Sequence, residues 1–287
     1  MGKYQMKTYV ELETGEVGAG IFTPEETILK QEKQRELIKT KIDYEKKVAT
    51  GDALDFTKGL MENVKELLEE LDQSPQTKRT YKGYILQLQT YTNYDNELFL
   101  NKQSHKPLNR KGIAELLNIK NRTYSKEFID IMLELGVLSS VQTAKGKGFA
   151  MNSDYSMRGR SSNSQYVKFF HNSIRQVYKE NSADDVAFLY SLLPYVSLED
   201  NVLAHNPYEQ EPSKLDVMTG KDIAEITGVS LNVVYRKKNR MTFNNLAVFK
   251  TETKLGKTNY VINPLVFYRK DGEPNETIVR SFMIKGK

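Results

Sequence analysis

The chain has 287 residues, a formal net charge of +5 and 39% hydrophobic residues, enough for two soluble domains of ordinary size. It has no cysteine and only three histidines, so disulfides, cysteine nucleophiles and thiolate zinc sites are excluded. No apolar run approaches the roughly 20 residues that cross a bilayer, and the N-terminus lacks the apolar core of a signal peptide. We therefore expect a cytoplasmic protein without a membrane partner.

The positive charge is concentrated in the middle of the chain. Residues 73–180 contain 17 basic and 8 acidic side chains, a net charge of +9, whereas residues 24–72 have a net charge of −4. A polyanion would therefore bind first to the middle third. The alternative interpretation is a solvated basic surface that has no partner.

The chain begins with a predicted hairpin and a charged helix. Two alternating runs flank a turn at Glu13-Thr14-Gly15, which predicts an N-terminal hairpin over residues 1–23. The pair Thr23 and Pro24 is typical of a helix start. This helix is mostly charged as far as about Lys47, so we expect it on a surface or between domains.

A second helix, predicted from about Leu54 to Leu71, completes a charged helical segment over residues 24–77. Its apolar residues are alternately four and three positions apart, which gives one apolar seam. We interpret the seam as packing against the chain's own first domain or, alternatively, as the contact of a homodimer. The seam consists of Leu60, Val64, Leu67 and Leu71.

Two later stretches repeat one pattern. Ile113-Ala114-Glu115 recurs as Ile223-Ala224-Glu225, and the run from Phe149 to Asn152 aligns with the run from Tyr260 to Asn263. The segments that precede the two stretches also match, so we predict a duplicated unit of about 100 residues.

Each copy has the pattern of a winged helix-turn-helix. A short amphipathic helix, a turn and a second helix precede two alternating runs joined by a lysine-rich tip. The predicted fold is mainly α with small β-wings, an α+β class, with the winged units over residues 78–157 and 181–287. A basic linker and connecting helix over 158–180 join them, and Thr277 to Ile284 is predicted to be a terminal strand.

The second helix of such a unit lies in the major groove of DNA, and the wing contacts phosphate or the minor groove. On the first copy we predict a buried face of Tyr124, Phe128, Ile131 and Leu135, and on the second we predict that Val229, Val233 and Tyr235 pack inward. The predicted contacts of the first copy with double-stranded DNA are Asn121, Arg122, Ser125, Lys126, Lys145 and Lys147. Those of the second copy are Ser230, Asn232, Arg236, Lys237, Arg240, Lys254 and Lys257.

No catalytic constellation is evident. His171 and Arg175 superficially suggest a strand-exchange or nicking enzyme, but paired catalytic histidines are missing. There is no phosphate-cradling GxxxxGK[ST] loop and no carboxylate cluster suited to a metal-dependent nuclease. We therefore predict a protein that is not an enzyme and that uses no cofactor or metal.

Two short stretches resemble a known group of proteins. The run Tyr260-Val261-Ile262-Asn263-Pro264 with Phe267, and the opening Thr14-Gly15-Glu16-Val17, resemble replication proteins of small Gram-positive plasmids and phages. The paired winged units are also similar to plasmid initiators that bind origin repeats. The resemblance implies a sequence-specific DNA-binding replication initiator. The alternatives are a phage or plasmid transcriptional repressor and a protein–protein scaffold that assembles through the leucine seam.

Overall fold

The computed structural model describes most of the chain beyond residue 70 and parts of the chain before it. The described ranges are 5–10, 17–22, 32–40, 42–43, 56–60, 71–100, 106–143, 146–158, 166–254, 257–270, 272–274 and 276–283, together with Asn63, Glu66, Leu68 and Glu69. Contacts divide the chain into two compact units, Met1–Tyr44 and Glu45–Lys287. The boundaries predicted near residues 77, 157 and 180 all fall inside the second unit.

The N-terminal unit contains the predicted hairpin. Strands β1 (Gln5–Val10) and β2 (Val17–Phe22) pair antiparallel, with Gln5 opposite Phe22 and Val10 opposite Val17. Residues 32–40 are helical and almost entirely exposed, including Leu37. A charged sequence with few apolar positions gives such an exposed helix.

A four-stranded antiparallel sheet organises the second unit. Its central strands are β3 (Phe56–Leu60) and β7 (Tyr166–Phe170), and its edges are β6 (Ser156–Met157) and β12 (Phe267–Tyr268). The strand order is β12-β7-β3-β6. In the central pair, Lys58 lies directly opposite Lys168. The first half of the unit thus contributes β3 and β6, and the second half contributes β7 and β12.

The prediction of one helix from Leu54 to Leu71 is wrong. Leu60 belongs to β3, and Leu71 is not helical. Val64 and Leu67 lie outside the described residues. The strand forms because its backbone pairs with partners about 100 residues away, an interaction that outweighs local helical spacing. Leu60 and Leu71 therefore do not lie on one helix.

The other regular elements described in the second unit are helices and small antiparallel hairpins, which confirms the α+β class. The first repeat, residues 75–157, contains α1 (Pro75–Gln89), α2 (Arg110–Leu116), α3 (Arg122–Glu134), β4 (Leu138–Thr143), β5 (Gly146–Met151) and β6. The helix α4 (His171–Glu180) connects the repeats. The second repeat, residues 183–268, contains α5 (Ala183–Leu192), α6 (Gly220–Thr227), α7 (Leu231–Arg240), β8 (Thr242–Phe243), β9 (Leu246–Ala247), β10 (Phe249–Lys254), β11 (Lys257–Ile262) and β12.

The duplication extends to individual hydrogen bonds. Asn96 and Asn201 both adopt a positive φ, 59° and 54°. The amide of Met151 donates to the carbonyl of Asn96 at 2.8 Å, and that of Ile262 donates to Asn201 at 3.0 Å. Because Leu98 and Leu203 bond in the same way to Phe149 and Tyr260, the two hairpins dock identically on the segment that follows the first helix. These pairs fix which positions of the repeats are equivalent.

Local sequence explains the two helix pairs, α2–α3 and α6–α7. Asn109 caps α2 by accepting from the amide of Gly112, and Thr219 forms a capping box with Asp222 at the start of α6. The turn after α6 needs a left-handed residue, and Gly228 supplies it with φ 63°. The predicted tight turn at this glycine is confirmed.

The core of the second unit forms where α1 packs against α5. Ile85, Leu88 and Leu189 are fully buried there. A Cβ atom added to Gly83 would lie 2.1 Å from the carbonyl oxygen of Ala183, so the glycine permits the close approach of the helices. Each large apolar side chain buried in this way contributes about 1.5–3 kcal/mol.

The C-terminal segment is a helix, α8 (Glu276–Met283), so the predicted terminal strand is wrong. Val279 and Phe282 are buried three positions apart, a helical spacing, and Phe282 packs with Val202 and Val261 of the second repeat. In the part of the chain that is described, no helix combines the length and apolar character needed to span a membrane.

Candidate nucleic-acid interface

The N-terminal end of α3 presents a polar, basic surface. The side chains of Asn121, Arg122 and Lys126 are exposed, as predicted. The Asn121 side chain also accepts from the amide of Tyr124 at 3.0 Å, so it caps the helix. Lys120, which the sequence analysis did not select, is exposed immediately before the cap. Lys120 and Arg122 therefore lie on either side of the Asn121 cap.

Ser125 does not belong to this surface, because it is 5% exposed. The buried face of α3 consists of Ser125, Phe128, Ile129 and Met132, whereas Leu135 is 38% exposed. The predicted face shares only Phe128 with the observed one. Both sets have helical spacing, so the spacing alone does not decide between them. Their shared member Phe128 packs on α1, with its ring centroid 5.0 Å from that of Tyr81 and 5.3 Å from that of Tyr84.

The second helix pair also presents a polar, basic surface. Asn232 and Arg236 of α7 and its cap residue Ser230 are exposed. Val229 and Val233 are half-buried, but Tyr235, predicted to pack inward, is 43% exposed. Val234 takes the buried position instead. As in α3, the observed buried face is rotated by one residue from the predicted one.

Lys237 was predicted to contact DNA, but it is 3% exposed. Its ammonium group lies 2.5 Å from a carboxylate oxygen of Asp184 and 2.7 Å from one of Asp185. Arg240 is also paired with Asp185, at 2.6 Å, although its side chain is 57% exposed. A buried ammonium requires a carboxylate partner, so α5 determines the position of Lys237. The prediction that Lys237 faces outward is wrong.

The two carboxyl groups respond to this environment. Burial raises the pKa of Asp185, but the hydrogen bonds from Lys237 and Ser182 outweigh burial, and the net pKa is lowered. At Asp184, burial is likewise outweighed by Lys237 and Arg79, so its pKa is also lowered. Both carboxylates therefore remain ionised at neutral pH and hold α7 against α5.

The hairpin tips are described in part. Lys147 is exposed on β5, as the predicted contact requires. Lys145 lies outside the described residues. Lys254 and Lys257 face each other as the last pair of the β10–β11 ladder, but their side chains also lie outside the described part of the structure. Both predicted hairpins are confirmed.

Several other basic residues are used inside the fold. Arg158, at the start of the predicted basic linker, donates to the carbonyl of Thr92 at 2.8 Å. The equivalent Arg269 donates to Pro194 at 3.2 Å, and burial lowers its pKa to about 10. The charge excess of the middle third is therefore only partly available to a partner.

His171 and Arg175 also have structural positions. His171 is fully buried, and its Nε2 lies 2.7 Å from the hydroxyl of Thr57. The guanidinium of Arg175 donates to the carbonyl of Thr90. Across the described ranges, no three side chains of histidine, aspartate or glutamate are placed to hold a metal ion.

No protein family, no curated protein and no solved structure matches the chain.

Proposed function

We propose that the chain is a sequence-specific double-stranded DNA-binding protein that uses two winged helix-turn-helix units. One observation carries the proposal: the same helix pair and hairpin occur twice, with equivalent hydrogen bonds, and each second helix exposes basic and amide side chains. Arg122 and Lys126 are exposed on α3, and Asn232 and Arg236 are exposed on α7. In this proposal α3 and α7 are the two reading helices.

The chemistry of the exposed side chains supports this assignment. The major groove admits an α-helix and displays a distinct donor and acceptor pattern for each base pair. Arginine can donate two hydrogen bonds to guanine, and each such contact gives about 1–3 kcal/mol of discrimination. Arg122 and Arg236 are therefore the proposed base-reading residues, and Lys126 and Lys147 are proposed to contact phosphate.

Two different readers in one chain would select a bipartite site. Counted from their helix caps, the exposed residues named above occupy different positions on α3 and α7. The two half-sites should therefore differ in sequence. A spacing of about one helical turn, roughly 10 base pairs, would let both helices enter successive major-groove segments on one side of the duplex.

Within this function we propose a replication initiator of a plasmid or phage that binds origin repeats. The resemblance of the strand at Tyr260 to Pro264 to replication proteins supports this role. A repressor would use the same contacts, so the location of the bound sites distinguishes the two roles. Repeats in an origin or in the protein's own gene support initiation, and sites overlapping promoters support repression.

The direct experiment is selection of bound duplexes from a random-sequence pool, followed by sequencing. We expect an enriched motif with two unlike half-sites separated by about one turn of DNA. A pool that shows no enrichment would reject sequence-specific recognition. Mapping bound DNA in cells that carry mobile elements then tests the initiator role.

A further inference from the structure

The first repeat contains a groove of about 680 Å³ between the start of α2 and the β4–β5 hairpin. Arg110 and Lys111 line it on the helix side, and Ser140, Gln142 and Lys147 line it on the hairpin side. None of the described residues that line the groove is acidic. Three basic and two neutral hydrogen-bonding side chains thus line one concave surface, and the acidic partners of Arg110 and Lys111 lie outside this lining.

Two contacts position the Arg110 side chain at the groove. The guanidinium of Arg110 pairs with Asp130 of α3 at 2.5 Å and lies 5.9 Å from the centre of the Phe149 ring. This arrangement fixes Arg110 between the hairpin and the second helix of the pair. Lys111 is 85% exposed and lies 3.7 Å from the exposed carboxylate of Glu115 on the same helix. Such a solvent-exposed pair is weak, so a phosphate can compete for the ammonium.

The equivalent region of the second repeat is filled. Gly220 stands in place of Arg110, as the first residue after the helix cap. A Cβ atom on Gly220 would lie 2.8 Å from the Tyr260 hydroxyl, 2.9 Å from Leu231 and 3.5 Å from Tyr235. Aromatic and apolar side chains therefore occupy the space between helix and hairpin.

The hairpin side differs in charge as well. Ser140 is opposite Phe149, and Thr251 is opposite Tyr260, so the next residues along the strands, Val141 and Glu252, are equivalent. The second repeat thus has a carboxylate, paired with Lys250, where the first has an apolar side chain. The first groove is lined by basic and no acidic side chains, so an anion is attracted there more strongly than at the second position.

We propose that the groove of the first repeat binds the phosphodiester backbone of DNA and that the second repeat has no such anchor. This inference rests on the proposed function and deepens it. Lysine and arginine bind phosphate oxygens, and neutral hydroxyl and amide groups such as those of Ser140 and Gln142 donate to the same oxygens. The contact carries no sequence information, so it sets affinity and position for every duplex.

The repeat provides a matched control for the test. Lys111 and Lys221 are both exposed and both occupy the second position of their helices. We would compare Lys111→Gln and Lys221→Gln with the wild-type chain, using a labelled random-sequence duplex of about 30 base pairs, or three helical turns. The binding constant is measured over a series of salt concentrations.

We expect Lys111→Gln to reduce the slope of log K against log salt by about 0.9, the loss of one phosphate contact. The same substitution at Lys221 should leave the slope unchanged. The double variant Lys111→Gln, Lys147→Gln should lose about 1.8. Thermal unfolding of each variant checks that the fold is intact.

Equal slopes for the Lys111 and Lys221 variants, whether both unchanged or both reduced, would overturn the groove as a special anchor while leaving DNA binding in place. A wild-type chain without salt-dependent duplex binding would instead reject the proposed function itself. The two failures are therefore distinguishable in one titration.

Discussion

Lys237 occupies in α7 the position that Phe128 occupies in α3. Each is the seventh residue after its helix cap, Asn121 or Ser230, and each is buried. Phe128 packs on the aromatic rings of α1, whereas Lys237 pairs with two carboxylates of α5. The two proposed reading helices are therefore fixed to their neighbours by different chemistry, one apolar and one ionic.

The ionic contact predicts that removing the charge of Asp185 lowers the free energy of unfolding. Asp185→Asn should destabilise the fold by about 3 kcal/mol, because Lys237 remains buried with only Asp184 as a charged partner. Asp184→Asn is the matched control and should cost less, since its side chain is 26% exposed. Urea unfolding measures both. Equal effects of the two substitutions would contradict this account of the buried pair.

The same carboxylates predict acid sensitivity. Both have a pKa below the ordinary value of 3.8, so their contribution is complete above that pH and is lost as pH falls through the lowered folded-state values. The unfolding free energy of the wild type should therefore fall more steeply below about pH 4 than that of Asp185→Asn. Parallel pH profiles for the two chains would exclude these groups as the cause.

Two isoleucines test which face of α3 is buried. Ile129 is fully buried, although the sequence analysis left it off the buried face, and Ile131 is half-buried. Ile129→Ala should cost about 2–5 kcal/mol, the usual range for a buried site, and Ile131→Ala should cost clearly less. Chemical denaturation of the two variants compares the same substitution two positions apart. The reverse order would support the face predicted from sequence.

Gly83 provides a test of the α1–α5 contact. Alanine normally stabilises a helix interior by about 0.5–1 kcal/mol relative to glycine. At this position its Cβ would lie 2.1 Å from a carbonyl oxygen, so we expect Gly83→Ala to destabilise by about 1–3 kcal/mol or more. In Gly112→Ala the new atom meets the flexible end of Leu108, so its melting temperature should change less. A stabilised Gly83→Ala chain would contradict the close helix approach.

Sequence reasoning succeeded where the signal was local. The N-terminal hairpin, the two later hairpins, the cap at Thr219 and the turn at Gly228 all follow from residues within a few positions. The duplication was visible because the run Ile113-Ala114-Glu115 recurs unchanged and the second strand of each hairpin has a similar sequence.

The failures concern distant contacts. Strand β3 depends on pairing with β7, more than 100 residues later, and its own five residues do not reveal that partner. From its own helix, Lys237 is predicted to be an exposed basic residue. Its partners Asp184 and Asp185 lie more than 50 residues earlier, so the local sequence does not reveal that it is buried. The rotation of the buried faces of α3 and α7 likewise depends on what α1 and α5 present to them.

Titration of the arginine variants tests the central claim most directly. The wild type, Arg122→Ala, Arg236→Ala and the control Arg280→Ala, an exposed arginine of α8, would be titrated against a duplex recovered by selection and against an unrelated duplex. The account predicts a loss of about 5- to 150-fold on the selected duplex for each reading-helix variant, a smaller loss on the unrelated one, and no change for the control. Unchanged affinity and unchanged salt dependence for both reading-helix variants would contradict it and favour a protein–protein scaffold.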